Sequence, residues 1–63
     1  MIEEAGKVYV KSGNFEPAAR CYLEIKMWEE AGRFFLEAGK YIDAAFAYLD
    51  GNLYGTLIDL LQR

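Results

Sequence analysis

The residues with chemistry to offer are acidic. Glu29 with Glu30, and Asp43 with Asp50, supply paired carboxylates of the kind that share general acid and base work. Nothing converges on them. The chain has no histidine, a single cysteine at position 21, and no Ser-His pairing or metal-ligand spacing, and these carboxylates fall outside the apolar stripe where they serve to keep a helix soluble. Gly51-Asn52-Leu53-Tyr54-Gly55 carries two glycines, but no strand precedes it and no lysine follows it, so it reads as a helix-to-helix turn rather than a phosphate cradle. Tyr9, Tyr22, Tyr48 and Tyr54 have the faces to stack on bases. The cations Lys7, Lys11, Arg20, Lys26, Arg33, Lys40 and Arg63 are dispersed and outnumbered by acids, so nucleic acid is not an expected partner. Cys21 reads as a partly buried small residue. No catalysis, metal or cofactor is expected of this chain.

Its 63 residues make one small domain, spanning 1–63, and a chain of this size buries only about 60% of the surface its unfolded form exposes. A hydrophobic fraction of 54% is more apolar surface than one small core readily covers. The net charge of −3 disfavours phosphate backbones and anionic membranes. No uncharged run approaches the roughly 20 residues of a membrane span, and the start, Met1-Ile2-Glu3-Glu4, is acidic where a secretory signal is basic. With one thiol, this suggests an intracellular, cytoplasmic protein.

The elements that position these side chains follow from a repeat. Phe15, Trp28, Tyr41 and Tyr54 stand 13 residues apart, and the same step backward reaches Ile2. Three residues after each anchor come Ala5, Ala18, Ala31, Ala44 and Leu57. Four after come Gly6, Ala19, Gly32, Ala45 and Ile58, and seven after come Tyr9, Tyr22, Phe35, Tyr48 and Leu61. Offsets of 0, 3, 4 and 7 trace one stripe of an α-helix. Val10, Leu23, Leu36 and Leu49 widen it one residue further on.

Two residues before the anchors stand Gly13, Lys26, Gly39 and Asn52, where a helix closes in the left-handed conformation. Thirteen residues therefore divide into about ten helical ones and a tight turn, which forces neighbouring helices antiparallel. Five helices are expected, at 2–12, 15–24, 28–37, 41–50 and 53–62. Pro17, the only proline, falls in the first turn of the second helix, where its missing N–H has no intrahelical partner. Asn14 is expected to cap that helix, and Asn52 the fifth.

Alanine and glycine in the stripe let helix backbones approach, while aromatics fill the space above and below. The expected repeat core is Tyr9, Phe15, Ala18, Ala19, Tyr22, Trp28, Ala31, Gly32, Phe35, Tyr41, Ala44, Ala45 and Tyr48. The fifth unit departs from the pattern with Leu57, Ile58 and Leu61, and Leu53 and Leu60 leave it apolar over most of its circumference.

Trp28, Ala31, Gly32, Phe35, then Gly39, Tyr41, Ala44, Tyr48 and Gly51 resemble the tetratricopeptide repeat, with that family's spacings preserved within one hairpin. The family repeats every 34 residues, whereas this chain repeats its hairpin every 26, without the proline-containing connection. In that respect it is similar to the helical arms of clathrin heavy chain, coatomer and ciliary transport subunits, and to helical repeats of large helicase-like proteins. The resemblance implies an all-α fold of antiparallel hairpins stacked as a short right-handed α-solenoid, and a protein-binding role. An interaction or assembly scaffold is expected, as an excerpt of a longer solenoid. Two alternatives stand beside it: a self-assembling module, and a scaffold segment of a larger enzyme. The candidate interface is Leu53, Tyr54, Leu57, Ile58, Leu60 and Leu61, because an odd fifth helix has no hairpin partner, and the isolated chain is expected to form homo-oligomers.

Overall fold

The computed structural model describes residues 2–62. The fold is all-α, and the described residues form five short helices: α1 (Ile2–Lys11), α2 (Phe15–Glu24), α3 (Trp28–Glu37), α4 (Tyr41–Asp50) and α5 (Tyr54–Leu61). Each packs on the next, and from α1 to α4 these contacts are of equal extent. Trp28 at the start of α3 meets Gly51 at the end of α4, and Gly32 meets Tyr48, so these helices run antiparallel.

The beat of 13 is written in the backbone hydrogen bonds. After α1, the Gly13 N–H donates to the Val10 carbonyl at 3.0 Å and the Asn14 N–H to the Tyr9 carbonyl at 2.8 Å. The same two bonds close α2 from Lys26 and Met27, α3 from Gly39 and Lys40, and α4 from Asn52 and Leu53. This is the Schellman arrangement, which satisfies carbonyls that a helix end otherwise leaves unpaired. It requires a left-handed residue, and Gly13, Lys26, Gly39 and Asn52 have φ of +80°, +63°, +77° and +58°. The next residue turns immediately into a new helix: the carbonyls of Asn14, Met27, Lys40 and Leu53 accept from the N–H groups of Ala18, Ala31, Ala44 and Leu57. One residue thus ends one helix and begins another, which is why the connection is so short.

That economy corrects the expected caps. Asn14 occupies the N-cap of α2, but its side chain makes no capping bond and instead donates from Nδ2 to the Ser12 hydroxyl at 3.2 Å. Asn52 is the left-handed residue ending α4. Leu53 is the N-cap of α5, and the Asn52 Oδ1 accepts from the Tyr54 hydroxyl at 3.0 Å. Helix α5 is accordingly shorter than the expected 53–62, and α1 ends at Lys11.

The core holds Ala18, Ala19, Tyr22, Ala31, Phe35, Ala44, Ala47 and Tyr48 among its buried apolar residues, with Gly6 and Gly32 buried beside it. A Cβ on Gly32 would overlap the Tyr48 ring, and one on Gly6 would come within 3.1 Å of Cε2 of Tyr22. The corresponding positions of α2 and α4 are Ala19 and Ala45. Glycine thus stands at this position in α1 and α3 and alanine in α2 and α4, so the repeat of 13 carries an alternation of period 26. Five expected core residues lie elsewhere. Phe15, Trp28 and Ala45 are half-buried, while Tyr9 and Tyr41 are exposed. Tyr9 sits on α1, which packs chiefly on α2. Tyr41 borders an open groove with Leu60 and Leu61 of α5.

Candidate functional site

One residue and five residues after each anchor, the first three helices carry an acid and a base: Glu3 with Lys7, Glu16 with Arg20, Glu29 with Arg33. This is the spacing of an i,i+4 ion pair on a solvated face. In α2 the pair is closed, with Arg20 Nη2 donating to Glu16 Oε2 at 3.3 Å. In α4 the same two positions are Ile42 and Phe46, which are 74% and 59% exposed. With exposed Leu49 they form an outward apolar stripe at i, i+4 and i+7, opposite the buried Ala44, Ala47 and Tyr48. The expected interface did not include this stripe. The signal for it was in the sequence, as the one unit in which the acid–base pair is replaced by two large apolar residues.

Helix α5 continues the surface. Of the six residues expected to form an interface, Leu53, Leu57 and Leu60 turn inward and pack half-buried on the core, while Tyr54, Ile58 and Leu61 face solvent. The fifth helix therefore has a partner in α4, although its contact is much smaller than that between earlier neighbours, and none of its residues is fully buried.

The α2–α3 junction holds a ring stack whose counterpart residues differ at α4–α5. Between α2 and α3, Phe34 lies parallel to Phe15, with ring centroids 6.0 Å apart and 6° between planes, and stacks on Tyr22 at 5.5 Å. One hairpin later the equivalents of Phe15, Tyr22 and Phe34 are Tyr41, Tyr48 and Leu60. Leu60 and Tyr41 border the same groove, and Tyr41 is 62% exposed. An open groove of about 530 Å³ remains, lined by Tyr41, Ile42, Ala45, Leu60 and Leu61.

A smaller recess of about 130 Å³ is bordered by Phe46 together with Arg20, Leu23, Phe35, Asp43, Ala47 and Asp50. The side chains of Asp43 and Asp50 both border this recess. Glu29 and Glu30 lie on α3, exposed and half-buried respectively. Among the described residues no group of three or more His, Cys, Asp or Glu side chains is placed to hold a metal ion, and no helix is long and apolar enough to cross a membrane. Cys21 is half-buried and its thiol is free. Arg63 lies outside the described residues.

The geometry defines a class rather than an activity: an all-α chain of repeated short hairpins with a continuous apolar face over its last two helices. In comparisons with protein-family models, curated proteins and solved structures, nothing matches the chain.

Proposed function

We propose that the chain is a non-catalytic protein-interaction and assembly scaffold, built from tetratricopeptide-like helical hairpins arranged as a short α-solenoid. The observation that carries this reading is the exposed apolar surface of α4 and α5. Ile42 and Phe46 stand where earlier units place charges, and Tyr54, Ile58 and Leu61 stand beyond them on α5. Contiguous exposed apolar residues of this size mark interaction surfaces in soluble proteins. Burying a side chain of this kind contributes about 1.5–3 kcal/mol before the cost of association.

Self-assembly through α5 is favoured by a separate observation, the small contact that this helix makes with α4. Ile58 and Leu61 already share one face, and covering them with another copy completes the burial that α4 leaves unfinished. Ile58→Glu with Leu61→Glu tests this at residues whose side chains point away from the core. Leu57→Glu is unsuitable, because Leu57 packs inward and a charge there unfolds α5 rather than probing its outer face. The reading predicts that the double variant remains helical and loses association. Unchanged association would contradict it.

A further inference from the structure

The α4 stripe carries its own information about a partner. Helix α2 is flanked by α1 and α3, yet Arg20 is exposed and Glu16 reaches solvent to pair with it. Exposure at these two positions is therefore a property of that face of the repeat and does not depend on a missing neighbour. Placing Ile42 and Phe46 there puts apolar side chains where packing within the stack has no use for them.

Charge around the stripe is one-sided. Between Tyr41 and Gln62 the charged residues are Asp43, Asp50 and Asp59, with no lysine or arginine, and Lys40 stands just before the stripe. Arg20, across the recess from Phe46, is already paired with Glu16. An apolar row at i, i+4 and i+7 with an acidic surround is complementary to an amphipathic helix whose apolar face is bordered by cations. The groove beside it, open where Phe34 closes the preceding hairpin, has room for an aromatic side chain from such a helix.

We propose that the Ile42–Phe46–Leu49 stripe of α4 docks a basic amphipathic helix of another protein, with an aromatic anchor entering the groove between Tyr41 and Leu60. This rests on the scaffold reading and names the partner's chemistry at that surface. A second copy is a poorer occupant. A two-fold contact through this stripe would bring together the Asp43 and Asp50 carboxylates of two copies, which border the recess beside Phe46, and the outer residues of α1 mix Lys7 and Lys11 with Glu3 and Glu4.

The test uses the whole chain and two synthetic probes of about 18 residues, long enough to form a helix in a groove. Both carry leucines and one phenylalanine along a single helical face. One has lysines at the remaining positions, the other glutamates. The expected result is that the lysine probe binds about tenfold or more tightly than the glutamate probe at low salt, and perturbs the amide signals of residues 41–50 and 54–61. The decisive variant is Ile42→Glu with Phe46→Arg, which restores the acid–base pair of the preceding helices and leaves the net charge at −3. Non-specific attraction of a cationic peptide persists in it, so a loss of about tenfold or more reports docking on the stripe. Equal binding to wild type and variant overturns the proposal, as does equal binding of the two probes. Conversion of an associating chain to a monomer by Ile42→Glu with Phe46→Arg also overturns it, by assigning the face to a second copy. If neither probe binds but Ile58→Glu with Leu61→Glu abolishes self-association, the docking proposal fails and the scaffold reading stands.

Discussion

Phe34 lies flat over Phe15, the two rings 6° from parallel with centroids 6.0 Å apart. This contact closes the junction between the first and second hairpins, and its absence one hairpin later, where Leu60 faces Tyr41, opens the groove at the end of the fold. Leu60→Phe is expected to close it. An aromatic pair contributes about 0.5–1.5 kcal/mol beyond area burial, and 1 kcal/mol moves the midpoint of a domain this small by about 4–8 °C. A thermal melt should show the variant several degrees more stable. A lower midpoint would mean that the groove is not shaped for a ring.

Glycine in the helices has a packing role that its neighbours make testable. Gly32 lies under the Tyr48 ring, and a Cβ there overlaps it. The ring is buried and has nowhere to move. Gly32→Ala is expected to lower stability by about 1–3 kcal/mol despite the better helix propensity of alanine. Gly6→Ala meets Tyr22 at 3.1 Å, where a shift of a few tenths of an ångström suffices, and the propensity gain of about 1 kcal/mol offsets the crowding. Urea titration of the two variants should separate them clearly. Equal costs would mean that Tyr48 crowds Gly32 no more than Tyr22 crowds Gly6, contrary to this packing.

The turn residues predict a different contrast. Lys26 holds φ at +63° where the first and third turns use glycine, and a left-handed non-glycine residue costs about 1–2 kcal/mol. Lys26→Gly should raise stability by about 0.5 kcal/mol or more once the added freedom of the unfolded chain is subtracted. Gly39→Ala, with no atom within 4 Å of the new Cβ, should lower it by about 1 kcal/mol through the backbone alone. Denaturant midpoints would check both signs.

These contrasts show which features were legible in the sequence. The helices and their left-handed ends could be read because each depends on local residues: Gly13, Lys26, Gly39 and Asn52 recur at one offset, and the backbone there is the same four times. Burial of Ala18, Ala31 and Ala44 followed from the stripe for the same reason. The caps did not, because Asn14 and Asn52 were judged by side-chain preference, whereas the Schellman bonds already fix the path into the next helix. The exposure of Tyr41 is not legible because it depends on packing between helices, where its groove neighbours Leu60 and Leu61 lie 19 and 20 positions away. The outward stripe is marked in the sequence by the break in the acid–base pattern at Ile42 and Phe46, which the periodicity of the buried apolar positions does not register.

The central claim is that the exposed face of the last two helices is made for association, and sedimentation equilibrium of the chain beside Ile58→Glu with Leu61→Glu tests it most directly. At micromolar concentration the account predicts a wild-type mass above the 7.2 kDa of one chain, and a helical double variant at the mass of one chain. A wild-type chain that sediments as a single 7.2 kDa species with a cooperative thermal transition would contradict it.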